Sequence, residues 1–153
     1  SSPARIVNVS SNAHYRGKIH FNDPYFTKNY EGFQKAYAQS KLANVLFTYE
    51  LARRLEGTDV TANALHPGVV STGIAQKNAN FITSFFWGLF RPVMSSAYKG
   101  AATSIYLAAS DDVKGVSGQY FEKCKPKKSS GESYKEDVAL QLWELSEELT
   151  RLR

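Results

Sequence analysis

Short apolar, β-branched runs alternate along this chain with longer stretches whose apolar residues return every three or four positions, a pattern that predicts strands separated by helices. Arg5-Ile6-Val7-Asn8-Val9-Ser10 reads as a buried strand over about 5–10, followed by a loop rich in Asn, Asp, Pro and Tyr to about 31. A long helix is expected from about 33 to 55. Phe33, Tyr37, Val45, Leu46, Tyr49 and Leu55 recur at helical steps, Arg53 and Arg54 suit the dipole of the last turn, and Gly57 supplies a stop. Val60 to Leu65 forms a second strand, broken by Pro67-Gly68; apolar helical material then spans 79–94 and a helix lies near 96–109. A short strand near 117–121, a basic loop and a closing helix from about 135 to 150 complete the series. Strands alternating with helices imply parallel crossovers, hence an α/β fold whose parallel sheet is covered by helices on both faces.

The run Phe81-Ile82-Thr83-Ser84-Phe85-Phe86-Trp87-Gly88-Leu89-Phe90 is too short, and too soon followed by Arg91-Pro92, to cross a bilayer. It suits a core helix, an apolar wall over a pocket, or a patch for a membrane surface or partner.

Composition narrows the class without naming a function. At 153 residues, 42% hydrophobic and 22% charged, the chain can bury a core as one domain or part of one. A lone cysteine, Cys124, forms no internal disulfide, which is compatible with a reducing compartment. No Cys/His ligand spacing is present, so no metal is expected. The formal net charge of +5 invites a nucleic-acid reading, with Lys123-Cys124-Lys125-Pro126-Lys127-Lys128 as the obvious patch. Aromatic interleaving is missing there and the other cations are mixed with acids, so a solvated loop is the better reading.

Three segments carry candidate chemistry. In Ala36-Tyr37-Ala38-Gln39-Ser40-Lys41, a phenol and an ammonium stand four residues apart and share a helix face. A cation near a phenol lowers its pKa from about 10, which would make Tyr37 an acid or base near neutral pH. Ser11 follows the first strand, and ligands of open α/β sheets bind beyond the carboxyl ends of the strands. After the second strand, Pro67 and Gly68 let backbone approach a ligand and leave the Val70 amide and the Thr72 hydroxyl available. Each segment alone also has an ordinary explanation: a solvated Tyr/Lys face, a helix cap, a turn. His14 reads as a loop histidine capping backbone groups, and His66 receives no proton-transfer role.

Taken together, Arg-Ile-Val-Asn-Val-Ser-Ser-x-Ala-His at 5–14, Ala-Tyr-x-x-Ser-Lys-Leu-Ala-Asn-Val-Leu-Phe-Thr at 36–48, His-Pro-Gly-Val-Val at 66–70 and Gly-Gln-Tyr-Phe at 118–121 resemble the short-chain dehydrogenase/reductase family, in its retinol dehydrogenase-like branch. The resemblance implies a Rossmann-like fold and hydride transfer between NAD(P)(H), with NADP(H) slightly favoured, and a small lipophilic alcohol or carbonyl. By the same resemblance Ser11 polarises the substrate oxygen and Tyr37 exchanges its proton. Lys41 depresses the Tyr37 pKa and holds the nicotinamide ribose, while Val70 and Thr72, beside Pro67 and Gly68, meet the carboxamide. Choosing Ser11 over Ser10 rests on the family's pattern.

The family's Gly-rich turn, its acidic or basic cofactor selector, its Asn-Asn-Ala-Gly-like stretch and a further catalytic Asn are absent from these residues. Residues 1–153 therefore look like the carboxyl-terminal half of a dinucleotide-binding domain, a single partial domain active in a longer protein rather than alone. The resemblance also implies a homo-oligomer through the long helix. A cytoplasmic setting is expected, and nothing in the sequence requires a membrane. The alternative is a non-catalytic or degenerate module that pairs with another chain through a sheet edge.

Overall fold

The computed structural model describes residues 3–68 and 97–151. Val70, Thr72 and the apolar run 79–94 lie outside them. The elements are β1 (Ala4–Val9), α1 (Phe33–Arg54), β2 (Val60–His66), α2 (Ala97–Ala109), β3 (Tyr120–Glu122), β4 (Lys125–Pro126) and α3 (Glu136–Thr150), with short 3-10 turns between them. The strands form one sheet in the order β1-β2-β3-β4. β1, β2 and β3 run parallel, Ala4 opposite Val60 and Ala64 opposite Tyr120; β4 pairs antiparallel with β3.

Neighbouring strand residues point to opposite faces, and the core divides accordingly. Ala64 and Tyr120 pack with Val45 and Tyr49 of α1. Leu65 and Phe121, one residue along, pack with Leu107 of α2 and with Val113, joined by Val7. The two helices therefore cover opposite faces, as the alternation of elements predicted. α3 lies on the far side of α1, where Leu42 and Leu46 meet Ala139. Phe47 stacks on Trp143 at 5.2 Å, and the Arg54 guanidinium sits 4.4 Å over the same indole, held by Glu50.

Two boundaries depart from the pattern. The third strand was expected over 117–121, yet regular pairing begins at Tyr120 because the buried Asn63 side chain occupies the preceding backbone. Its Nδ2 donates to Val116 O (2.6 Å) and its Oδ1 accepts from the Gln119 amide (3.0 Å). The expected basic loop contains a hairpin instead, with Lys123 and Cys124 both at positive φ (53° and 59°) in the turn from β3 to β4. Among the described residues, no helix is long and apolar enough to cross a membrane.

Candidate active site

β1 delivers its carboxyl end to the side of α1 through three polar contacts. Asn8 Nδ2 donates to Thr48 Oγ1 (2.9 Å), Asn44 Nδ2 donates to Val9 O (2.9 Å), and Ser10 Oγ donates to Lys41 O (2.7 Å). Residues 41, 44 and 48 follow the spacing of one helix face, so a single stripe of α1 sets its register on β1. Asn44 and Thr48 were not singled out from the sequence, although polar residues at that spacing inside an apolar helix were the available signal.

The adjacent hydroxyls differ in what they can still do. Ser10 is buried and its proton is committed to the Lys41 carbonyl. Ser11 caps the 3-10 turn Asn12–Arg16, its Oγ accepting from the Ala13 amide at 3.2 Å. Among the described residues no acceptor takes the Ser11 hydroxyl proton, which leaves that proton for a ligand.

On α1, Tyr37 and Lys41 share a face as their spacing predicted: the Lys41 ammonium lies 5.5 Å from the Tyr37 ring centroid. The Tyr37 ring stacks on Phe33 at 5.7 Å and the residue keeps 38% of its surface exposed. Neither the Tyr37 hydroxyl nor the Lys41 ammonium has a hydrogen-bond or ion-pair partner among the described residues. Gln39, between them in sequence, faces the other way. It is buried, accepting from the His20 amide and donating to Pro24 O (both 2.9 Å), and so holds the loop before α1 against the helix. Gly17 allows the close approach, since a Cβ there would lie 2.5 Å from Ala38 O and 2.7 Å from Leu42 Cβ.

β2 ends at His66, opposite Glu122, and the chain turns through Pro67 to Gly68 at φ +87°, a backbone state that favours glycine. His66 is buried and burial lowers its pKa, Glu122 opposing and Lys127 assisting. Val70 and Thr72, the expected contacts of the carboxamide, lie outside the described residues. No group of three His, Cys, Asp or Glu side chains among the described residues could hold a metal.

Residues 1–82 match the family model for short chain dehydrogenase. The chain belongs to that family. Retinol dehydrogenase 12 of Homo sapiens is 46% identical over 154 residues, covering 100% of this chain and 48% of that protein. Retinol dehydrogenase 14 of Homo sapiens is also 46% identical, covering 99% of this chain and 46% of that protein. A crystal structure of an uncharacterized protein from Mycobacterium Paratuberculosis superposes with a TM-score of 0.73 at 32% identity, over 97% of this chain and 50% of that one. The chain thus spans about half the length of the curated relatives it matches, and it is retinol dehydrogenase-like along its whole length. A short-chain dehydrogenase needs donors for a nicotinamide ribose and for a reacting oxygen, and the uncommitted Lys41 ammonium and the Tyr37 and Ser11 hydroxyls fit that need.

Proposed function

We propose that this chain is the proton-transfer half of an NAD(P)(H)-dependent oxidoreductase that interconverts a lipophilic alcohol and its carbonyl, acting within a longer polypeptide. When bound, the dinucleotide supplies or accepts the hydride. Ser11 donates its hydroxyl proton to the substrate oxygen and polarises it, Tyr37 gives or takes the proton on that oxygen, and Lys41 favours the negative charge developing there and binds the ribose. Pro67, Gly68, Val70 and Thr72 would hold the carboxamide side. Likeness to retinol dehydrogenases supports a retinoid or a long-chain aldehyde or ketone as substrate, and NADP(H) ahead of NAD(H). The observation that carries the reading is the Lys41 ammonium lying over Tyr37 while Ser10 ties the neighbouring Ser11 backbone to the same turn of α1.

A homo-oligomer through α1 belongs to the same proposal, supported by the exposure of Phe33 and Phe47 along it, as does a cytoplasmic setting without nucleic acid. The second reading, a non-catalytic module that pairs with another chain, is favoured by one observation: among the described residues no strand pairs with the outer edge of β1.

Turnover of all-trans-retinal with NADPH by the longer polypeptide tests the choice. Tyr37→Phe should lower kcat by a factor on the order of 100 to 10,000 with the melting temperature unchanged. A rate within threefold of the parent's would remove Tyr37 from the chemistry and leave the module reading.

A further inference from the structure

We infer that His14 is a positioning residue, whose ring, held between the Ser130 amide and the Ser11 carbonyl, fixes the Ser11 backbone and couples it to the loop that precedes α3. The inference rests on the function proposed for Ser11. His14 is fully buried and both ring nitrogens are engaged. Nε2 lies 3.1 Å from the Ser130 main-chain nitrogen. A main-chain N–H can only donate, so Nε2 accepts and the ring proton resides on Nδ1. Nδ1 lies 2.6 Å from Ser11 O and donates to it, while the His14 main-chain amide donates to the same oxygen at 3.0 Å. With the Ala13 amide on Ser11 Oγ, three donors orient this one residue and none consumes its hydroxyl proton.

The far end of the linkage is as firmly built. Ser133 Oγ donates to Ser130 O (2.6 Å), and Ser133 joins Ser129 and Tyr49 in a buried chain of hydroxyls. The position of Ser11 is thereby tied to a segment more than a hundred residues away in sequence, against which α1 also packs.

Charge on the ring would break the linkage, because a protonated Nε2 faces another donor. The groups around His14 oppose that charge: the rings of Tyr15 (4.1 Å) and Tyr120 (4.7 Å) exclude water, and Lys127 from the hairpin and His66 from β2 add positive potential. Burial is the leading cause holding the His14 pKa below its ordinary value of 6.5; the Ser11 carbonyl opposes it. Glu122, at the end of β3, is paired with Lys127.

Two variants divide the two bonds. His14→Asn keeps an N–H donor near the Nδ1 position and loses the acceptor for Ser130; His14→Gln places an acceptor near Nε2 and loses the donor to Ser11. In the longer polypeptide, His14→Gln should lower kcat at least tenfold with the KM for NADPH unchanged, and His14→Asn should stay within threefold while melting earlier. Rates that fall in step with melting temperature in both variants would reduce His14 to packing. Independently of turnover, carbonyl and amide NMR of this chain should show the Ser11 ¹³C′ and Ala13 amide signals displaced in His14→Gln and retained in His14→Asn. Unchanged signals in both overturn the inference. Should neither variant fold, ¹⁵N spectra of wild-type His14 decide: the Nδ1–H form at pH 7 supports the linkage, and the Nε2–H form or an imidazolium refutes it. Loss of turnover in the wild type with these signals as expected would refute the proposed function and leave the linkage standing.

Discussion

Ser10 and Ser11 carry the same chemistry on adjacent residues just past β1, and their surroundings give them different tasks. Ser10 points inward to Lys41 O, so Ser10→Ala should cost about 1 kcal/mol of stability, by denaturant midpoint, and touch the rate only secondarily. Ser11→Ala gives up the cap on the Ala13 amide and should cost a comparable amount of stability, but lower the rate strongly, measured in the same pair of assays. Asp23 offers a pH-dependent counterpart. Desolvation would raise its pKa, but the Asn29, Lys28 and Thr27 amides with the Thr27 hydroxyl outweigh it and hold the carboxyl at about 2. The folded pKa lies below the unfolded value, so the contribution of this loop is complete above about pH 4 and is lost as pH falls toward 2. Amide shifts of Thr27, Lys28 and Asn29 followed from pH 5 to 2 should move together, and Asp23→Asn should show the low-pH pattern at neutral pH. The Tyr37/Lys41 pair was readable from spacing alone because a helix converts four residues into adjacency. The separate fates of Ser10 and Ser11 were not, because they depend on a helix 31 positions away.

Elements with a strong apolar period declared themselves: among the described residues β1, β2 and the helices α1, α2 and α3 lie within a residue or so of their expected bounds. What the pattern could not announce were pieces made by side chains acting on backbone. The Asn63 clamp delays β3, Gln39 holds residues 20–24, and the 3-10 turn at Asn12–Arg16 has no repeat to detect. Gly17 belongs to this group, being an unremarked loop glycine until its distance to α1 is known. Gly17→Ala should push the loop off the helix and cost about 1–3 kcal/mol, read as an earlier melt with the Gln39 side-chain amide signals displaced.

At the scale of the molecule, the sheet has, among the described residues, one protected and one open side. β4 closes the β3 edge with a two-residue hairpin, while β1 is paired only with β2 among the described residues. An edge of six residues invites further pairing, so sedimentation of this chain should show concentration-dependent association, weakened by a charge at the exposed Val9, Val9→Lys. Monomeric sedimentation at all concentrations would speak against an available edge. The chain spans about half the length of the relatives it matches.

The stripe at 41, 44 and 48 that pins α1 to β1 also governs which insertions and deletions can be tolerated. Adding one residue inside that stretch would rotate everything beyond it by about 100° and sweep Asn44 and Thr48 away from the strand. Adding residues between the Asp23 turn and Gly32 alters none of these three contacts. Natural length variation should gather there, and a library of single-residue insertions scored for soluble expression should show one permissive window before the helix and a forbidden one within it.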